Sequence, residues 1–98
     1  MSTPSTEAEY WQRVDEFIAL ANKQCNPADP NDVGASALYA AARFNAFIVA
    51  KAVGTGENMA LEKERALEYF TEQFRTMMLS NLEDFTQNFN KYLTPAPQ

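Results

Sequence analysis

Ala35-Ser36-Ala37-Leu38-Tyr39-Ala40-Ala41-Ala42-Arg43-Phe44-Asn45-Ala46-Phe47-Ile48-Val49-Ala50 carries a single charge, at Arg43. Its apolar side chains fall on every side of a helix rather than on one stripe. Alanine adds high helix propensity and a small volume that lets another backbone approach closely. The stretch therefore predicts a central helix, over about 32–53, covered by neighbours on several faces. Asp29-Pro30 supplies a plausible cap, because proline is tolerated at the first helical position.

Working outward, two punctuated gaps bound this helix. Asn26-Pro27-Ala28-Asp29-Pro30-Asn31-Asp32 is dense in turn and cap residues, and Gly54-Thr55-Gly56 ends one helix and leads to the next. The segment before the first gap, about 7–25, repeats Trp11, Val14, Ile18, Ala21 and Cys25 at steps of three and four, which predicts an amphipathic helix. Thr6 followed by Glu9 fits a capping box, and Glu9 with Arg13 is an i,i+4 pair in the favourable order.

The segment after the second gap, about 58–93, carries Leu67, Phe70, Phe74, Met77, Met78, Leu82, Phe85, Phe89 and Tyr92 at helical spacing. As one helix it would measure about 53 Å, against about 30 Å for each of the others. Two readings resolve the mismatch. Ser80-Asn81-Leu82-Glu83 has capping-box form, so the helix breaks or kinks near Ser80 and a fourth helix folds back. Alternatively it continues, and its overhang buries Leu82, Phe85, Phe89, Tyr92 and Leu93 against a second copy, since an apolar patch of that kind marks an interface. The second reading is favoured. The expected fold is an all-α, three-helix bundle with a long third helix, in one domain over residues 1–98, with disordered tails at 1–5 and 94–98.

Composition agrees with a helical domain that needs no metal or disulfide to fold. Hydrophobic residues make up 46% of the 98, and the three glycines and five prolines leave long stretches uninterrupted. Thirteen acidic residues against eight scattered basic ones give a net charge of −5. Phosphate neutralisation by lysine and arginine dominates nucleic-acid affinity, so a nucleic-acid partner is not expected, nor is an anionic membrane. The apolar runs, such as Ala46–Ala50 before Lys51, are far shorter than the roughly 20 residues that span a bilayer. Met1–Glu9 lacks the basic start and apolar stretch of a signal peptide, and a lone cysteine suits a reducing compartment. The expected location is the cytoplasm.

Chemistry is sparse. There is no histidine, the commonest general base and metal ligand, and no Glu-x-x-His pair for a bundle di-iron site. Glu64, Glu68 and Glu72 form a stripe read as a solvated face, because carboxylates along one helix diverge too little to surround an ion. Cys25, near a helix C-terminus, is read as a bystander thiol. Met77 and Met78 with Phe70 and Phe74 read as core, and Gly54-Thr55-Gly56 lacks the strand and motif of a phosphate loop. Arg43, with Tyr39 and Asn45 beside it, stands out in an apolar helix. It is read as a polar core pairing with Asp15, Glu16 or a glutamate of the third segment, or as a small anion- or apolar-ligand site. No catalytic residue, metal or cofactor is assigned. The expected role is a non-enzymatic interaction or structural protein, a homodimer through the C-terminal half of the third helix.

Phe17-Ile18-Ala19-Leu20-Ala21-Asn22, the run Leu38 to Phe47, Tyr69-Phe70 through Gln73-Phe74-Arg75, and Asn81-Leu82 with Asp84 resemble one family of short, all-helical bacterial proteins. That family is catalogued as a domain of unknown function. The likeness covers roughly Tyr10 to Leu93, and its most specific part is Tyr-Ala-Ala-Ala-Arg-Phe-Asn-Ala-Phe. It implies a bacterial origin and an all-helical fold, and it carries no site residue.

Overall fold

The computed structural model describes residues 5–93, and among them the chain is helical almost throughout, with no strand. Four helices follow one another: α1 (Glu7–Gln24), α2 (Pro30–Val53), α3 (Gly56–Gln87) and α4 (Phe89–Leu93). The tails expected at 1–5 and 94–98 lie, but for Ser5, outside the described residues.

The starts of α1, α2 and α3 are each fixed by a side chain that satisfies orphan backbone N–H groups. At α1, Glu9 N–H donates to Thr6 Oγ1 at 3.1 Å while Thr6 N–H donates to Glu9 Oε1 at 3.1 Å, the reciprocal capping box. At α2, Asn31 N–H donates to Asp29 Oδ1 at 2.7 Å and Pro30 takes the first helical position. The helix thus begins two residues before the expected 32, because proline's missing N–H is an orphan there in any case. At α3, Thr55 Oγ1 accepts from Asn58 N–H at 3.1 Å, and the Asn58 amide donates to the Val53 carbonyl at 3.0 Å, tying the end of α2 to the start of α3. Gly54 makes the turn with φ +83°, a left-handed conformation that costs glycine little.

The third helix does not break near Ser80. Asn81 donates instead to the Met77 carbonyl at 2.8 Å, so its side chain serves the helix it lies in and caps no new one. The break falls at Asn88, whose φ of −117° and ψ of 28° leave the helix. The expected overhang is therefore divided: Leu82 and Phe85 end α3, and Phe89, Tyr92 and Leu93 form α4.

The chain divides into two units, Met1–Ile48 and Val49–Gln98. Within the first, Val33 is the one buried residue among those described, and Val14, Ala21, Cys25 and Asn45 are half-buried. Within the second, no described residue is buried, and the half-buried ones include Met59, Ala66 and Phe70 on α3. The stripes of α1 and α3 are present as helix faces, with no buried side chain on either. α2 was expected to be covered all round, yet Leu38, Tyr39, Phe44 and Phe47 stand exposed.

Candidate functional site

Two groups of residues carry the expectations drawn from the sequence. The first lies on α2. Tyr39, Ala40, Arg43, Phe44 and Phe47 line an open hollow on the helix surface. Tyr39 and Arg43 meet there because four residues make about one turn. Asn45 does not join them: it lies on another side of α2, and its amide donates to the Ala41 carbonyl at 2.8 Å. Arg43 is exposed, so its guanidinium stays hydrated and does not need the acidic partner that a desolvated charge would require. The polar core expected at Tyr39, Arg43 and Asn45 is thus a surface pair and a helix-backbone contact.

The second group is the end of α3 with α4. Asp84 Oδ1 accepts from Asn88 Nδ2 at 2.8 Å and Oδ2 accepts from the Tyr92 hydroxyl at 3.0 Å. The rings of Phe85 and Tyr92 lie 4.8 Å apart, tilted by 53°. Lys91 Nζ stands 5.6 Å from the Tyr92 ring centroid, within cation–π range. The Asp84 hydrogen bond, reinforced by its charge, raises the Tyr92 phenol above its ordinary value, with partial desolvation a lesser cause. Leu82, Phe89 and Leu93 remain more than half exposed. Of the expected interface residues, Phe85 and Tyr92 are brought into contact with each other. The sequence signal for this clasp was the carboxylate at 84 with Asn88 one turn and Tyr92 two turns later.

Elsewhere, Glu64, Glu68 and Glu72 line a shallow open surface of α3 with Leu67 and Thr71, and among the described residues no three acidic or thiol side chains converge to hold an ion. Cys25 caps the end of α1 and is half-buried. At the start of α1, hydrogen bonds from the Thr6 backbone N–H and then its hydroxyl, with Arg13 nearby, hold Glu9 below the usual carboxylate range despite some desolvation. α2 is long and apolar enough, by length and composition, to cross a bilayer, which short uninterrupted runs had concealed.

Helices with open apolar faces and a few local hydrogen-bonded clasps define an all-α protein. The chain belongs to the DUF3144 family, proteins of unknown function, whose model matches residues 10–86. The match runs from α1 almost to the end of α3 and leaves α4 outside. No curated protein and no solved structure matches the chain.

Proposed function

We propose that this chain is a non-enzymatic interaction or structural protein of the bacterial cytoplasm, and that it works as a homodimer whose bundle is completed between copies. One observation carries the reading: among the described residues Val33 alone is buried, while large apolar side chains are exposed on every helix. Ordering each backbone residue costs about 1–2 kcal/mol, and helices draw most of their stability from packing an apolar face. Neither unit provides that packing from its own residues. A second copy is the partner always present at the chain's own concentration, and it would supply the missing faces of a three-helix bundle.

The end of α3 with α4 is one such face. Leu82, Phe89 and Leu93 are exposed beside the Phe85–Tyr92 pair, and such patches mark interfaces. Light scattering on the full chain and on a version ending at Ser80 tests this. The truncated chain is expected to lose oligomeric mass; an unchanged mass removes the C-terminal surface from the reading.

A ligand-binding role for the hollow beside Arg43 is less well supported, because one helix offers a small molecule no enclosure. A bilayer-spanning α2 is also disfavoured. Arg43 would sit near the helix midpoint, where a charge costs about 2.5–3.5 kcal/mol on insertion scales.

A further inference from the structure

We propose that α2 is itself a pairing surface, and that its occupant is α2 of a second copy running antiparallel about a two-fold axis between Ala41 and Ala42. The proposal rests on the self-association reading but names a different helix from the C-terminal surface.

The geometry begins with one face. At 3.6 residues per turn, Asp32, Ser36, Tyr39, Ala40, Arg43, Phe47 and Lys51 fall within an arc of about 120°. Ala40, Arg43, Phe44 and Phe47 stand at i, i+3, i+4 and i+7. That is the four-residue hole into which a facing helix inserts a knob. These residues, with Tyr39, line the open hollow on α2. Tyr39 is 69% exposed at its edge, so the same face presents both a hole and a bulky side chain to enter one.

The face is also complementary to itself. A two-fold axis between Ala41 and Ala42 sets position 32 against 51, 36 against 47, 39 against 44 and 40 against 43. Phe47 then meets Ser36, whose hydroxyl is already turned onto the Asp32 carbonyl at 2.9 Å and leaves a small neutral dent. Arg43 lies over Ala40, and Tyr39 enters the hole beside Phe44. Asp32, in the first turn, meets Lys51, in the last, and the symmetry makes that pair twice. In a parallel, in-register pair the same three charges would each face their own kind. Edge charges of this sort set partner orientation in paired helices, so the pattern selects the antiparallel copy.

The test uses two full-length variants, Asp32→Lys and Lys51→Asp, and sedimentation equilibrium. Alone, each variant places like charges opposite one another twice, and its dimer is expected to weaken on the order of tenfold. Mixed in equal amounts they restore both opposite-charge pairs, and a heterodimer of wild-type affinity is expected. Ala40→Phe fills the hole from within the same helix, and it is expected to abolish the pairing while leaving helix content unchanged. Dimers indifferent to all three changes overturn the proposal. So does a wild-type chain that is monomeric in buffer or that associates only with added phosphatidylcholine vesicles. Truncation after Ser80 leaves this face intact. Loss of the C-terminal reading with retained charge-swap rescue, or the reverse, therefore tells the two surfaces apart.

Discussion

Tyr92 donates its phenol hydrogen bond to Asp84 at 3.0 Å across the break at Asn88, and so holds a helix of five residues against the end of one of thirty-two. Five residues cannot sustain a helix alone, since nucleation is unfavourable and isolated helices are marginal below about 12–15 residues. α4 therefore depends on this contact, on the Asn88 amide sharing the same carboxylate and on the Phe85–Tyr92 ring pair. Asp84→Ala removes both hydrogen bonds, whereas Tyr92→Phe removes one and keeps the rings together. Amide exchange at residues 89–93 is expected to quicken in both variants, and more in Asp84→Ala. Equal exchange in wild type and Asp84→Ala would discount the clasp.

The same contact gives α4 a pH dependence. The bond to Asp84 favours the protonated phenol, which places Tyr92 above its ordinary value of about 10. A group raised on folding contributes stability that is fully present below its unfolded value. That contribution is lost as pH rises through the folded value. α4 is thus expected to stay docked through neutral and mildly alkaline pH and to release above about pH 10. An NMR titration following the Tyr92 ring together with the amides of 89–93 checks it. Release in Tyr92→Phe at the same pH would assign the transition to another group.

Glu9 behaves with the opposite sign. Its carboxylate accepts the Thr6 backbone N–H and lies below the usual range, so its contribution is present above the unfolded value of about 4.3 and is lost as pH falls through the lower folded one. Thr6→Ala removes the hydroxyl that caps Glu9 N–H, at a cost of about 1 kcal/mol to α1. Circular dichroism at 222 nm is expected to show reduced helix for Thr6→Ala at neutral pH. A loss of helix is likewise expected in wild type on acidification below about pH 4.

These local devices were legible because their partners lie within a few residues. Thr6 with Glu9, and Asp29 with Pro30, announce helix starts whatever surrounds them. The break at Asn88 was harder, since Ser80-Asn81-Leu82-Glu83 has the composition of a cap but Asn81 spends its amide on Met77. Burial was not legible at all. Spacing reveals which faces of α1, α2 and α3 are apolar, but it does not say whether the same chain or another covers them. For that reason the acidic partners sought for Arg43 at Asp15 and Glu16 answer a need that an exposed guanidinium does not have.

The glycines on either side of α2's long body are expected to respond oppositely. Gly54 sits at φ +83°, where a Cβ is strained by roughly 1–2 kcal/mol. Gly34 lies inside the helix with nothing within 4 Å of an added Cβ. Gly54→Ala is expected to lower the melting temperature. Gly34→Ala is expected to raise it, because alanine is more favourable than glycine in a helix interior by about 0.8–1.0 kcal/mol. Thermal unfolding of the pair reads both signs in one experiment.

The proposed α2 pairing distinguishes exposed apolar residues that would pack from those that would stay exposed. Tyr39 and Leu38 are adjacent and more than half exposed, yet a rotation of about 100° about the helix axis separates their directions. Tyr39 lies on the face that carries the hollow, and Leu38 lies outside that arc. If α2 pairs with a copy of itself, Tyr39→Ala empties the hole its ring would fill, and truncation of a buried aromatic anchor costs about 2 kcal/mol or more, near thirtyfold in affinity. Leu38→Ala removes comparable apolar surface without touching the pairing face and is expected to leave the dissociation constant within about threefold of wild type. Should the two variants weaken the dimer equally, the association would follow general hydrophobicity rather than the register of this helix.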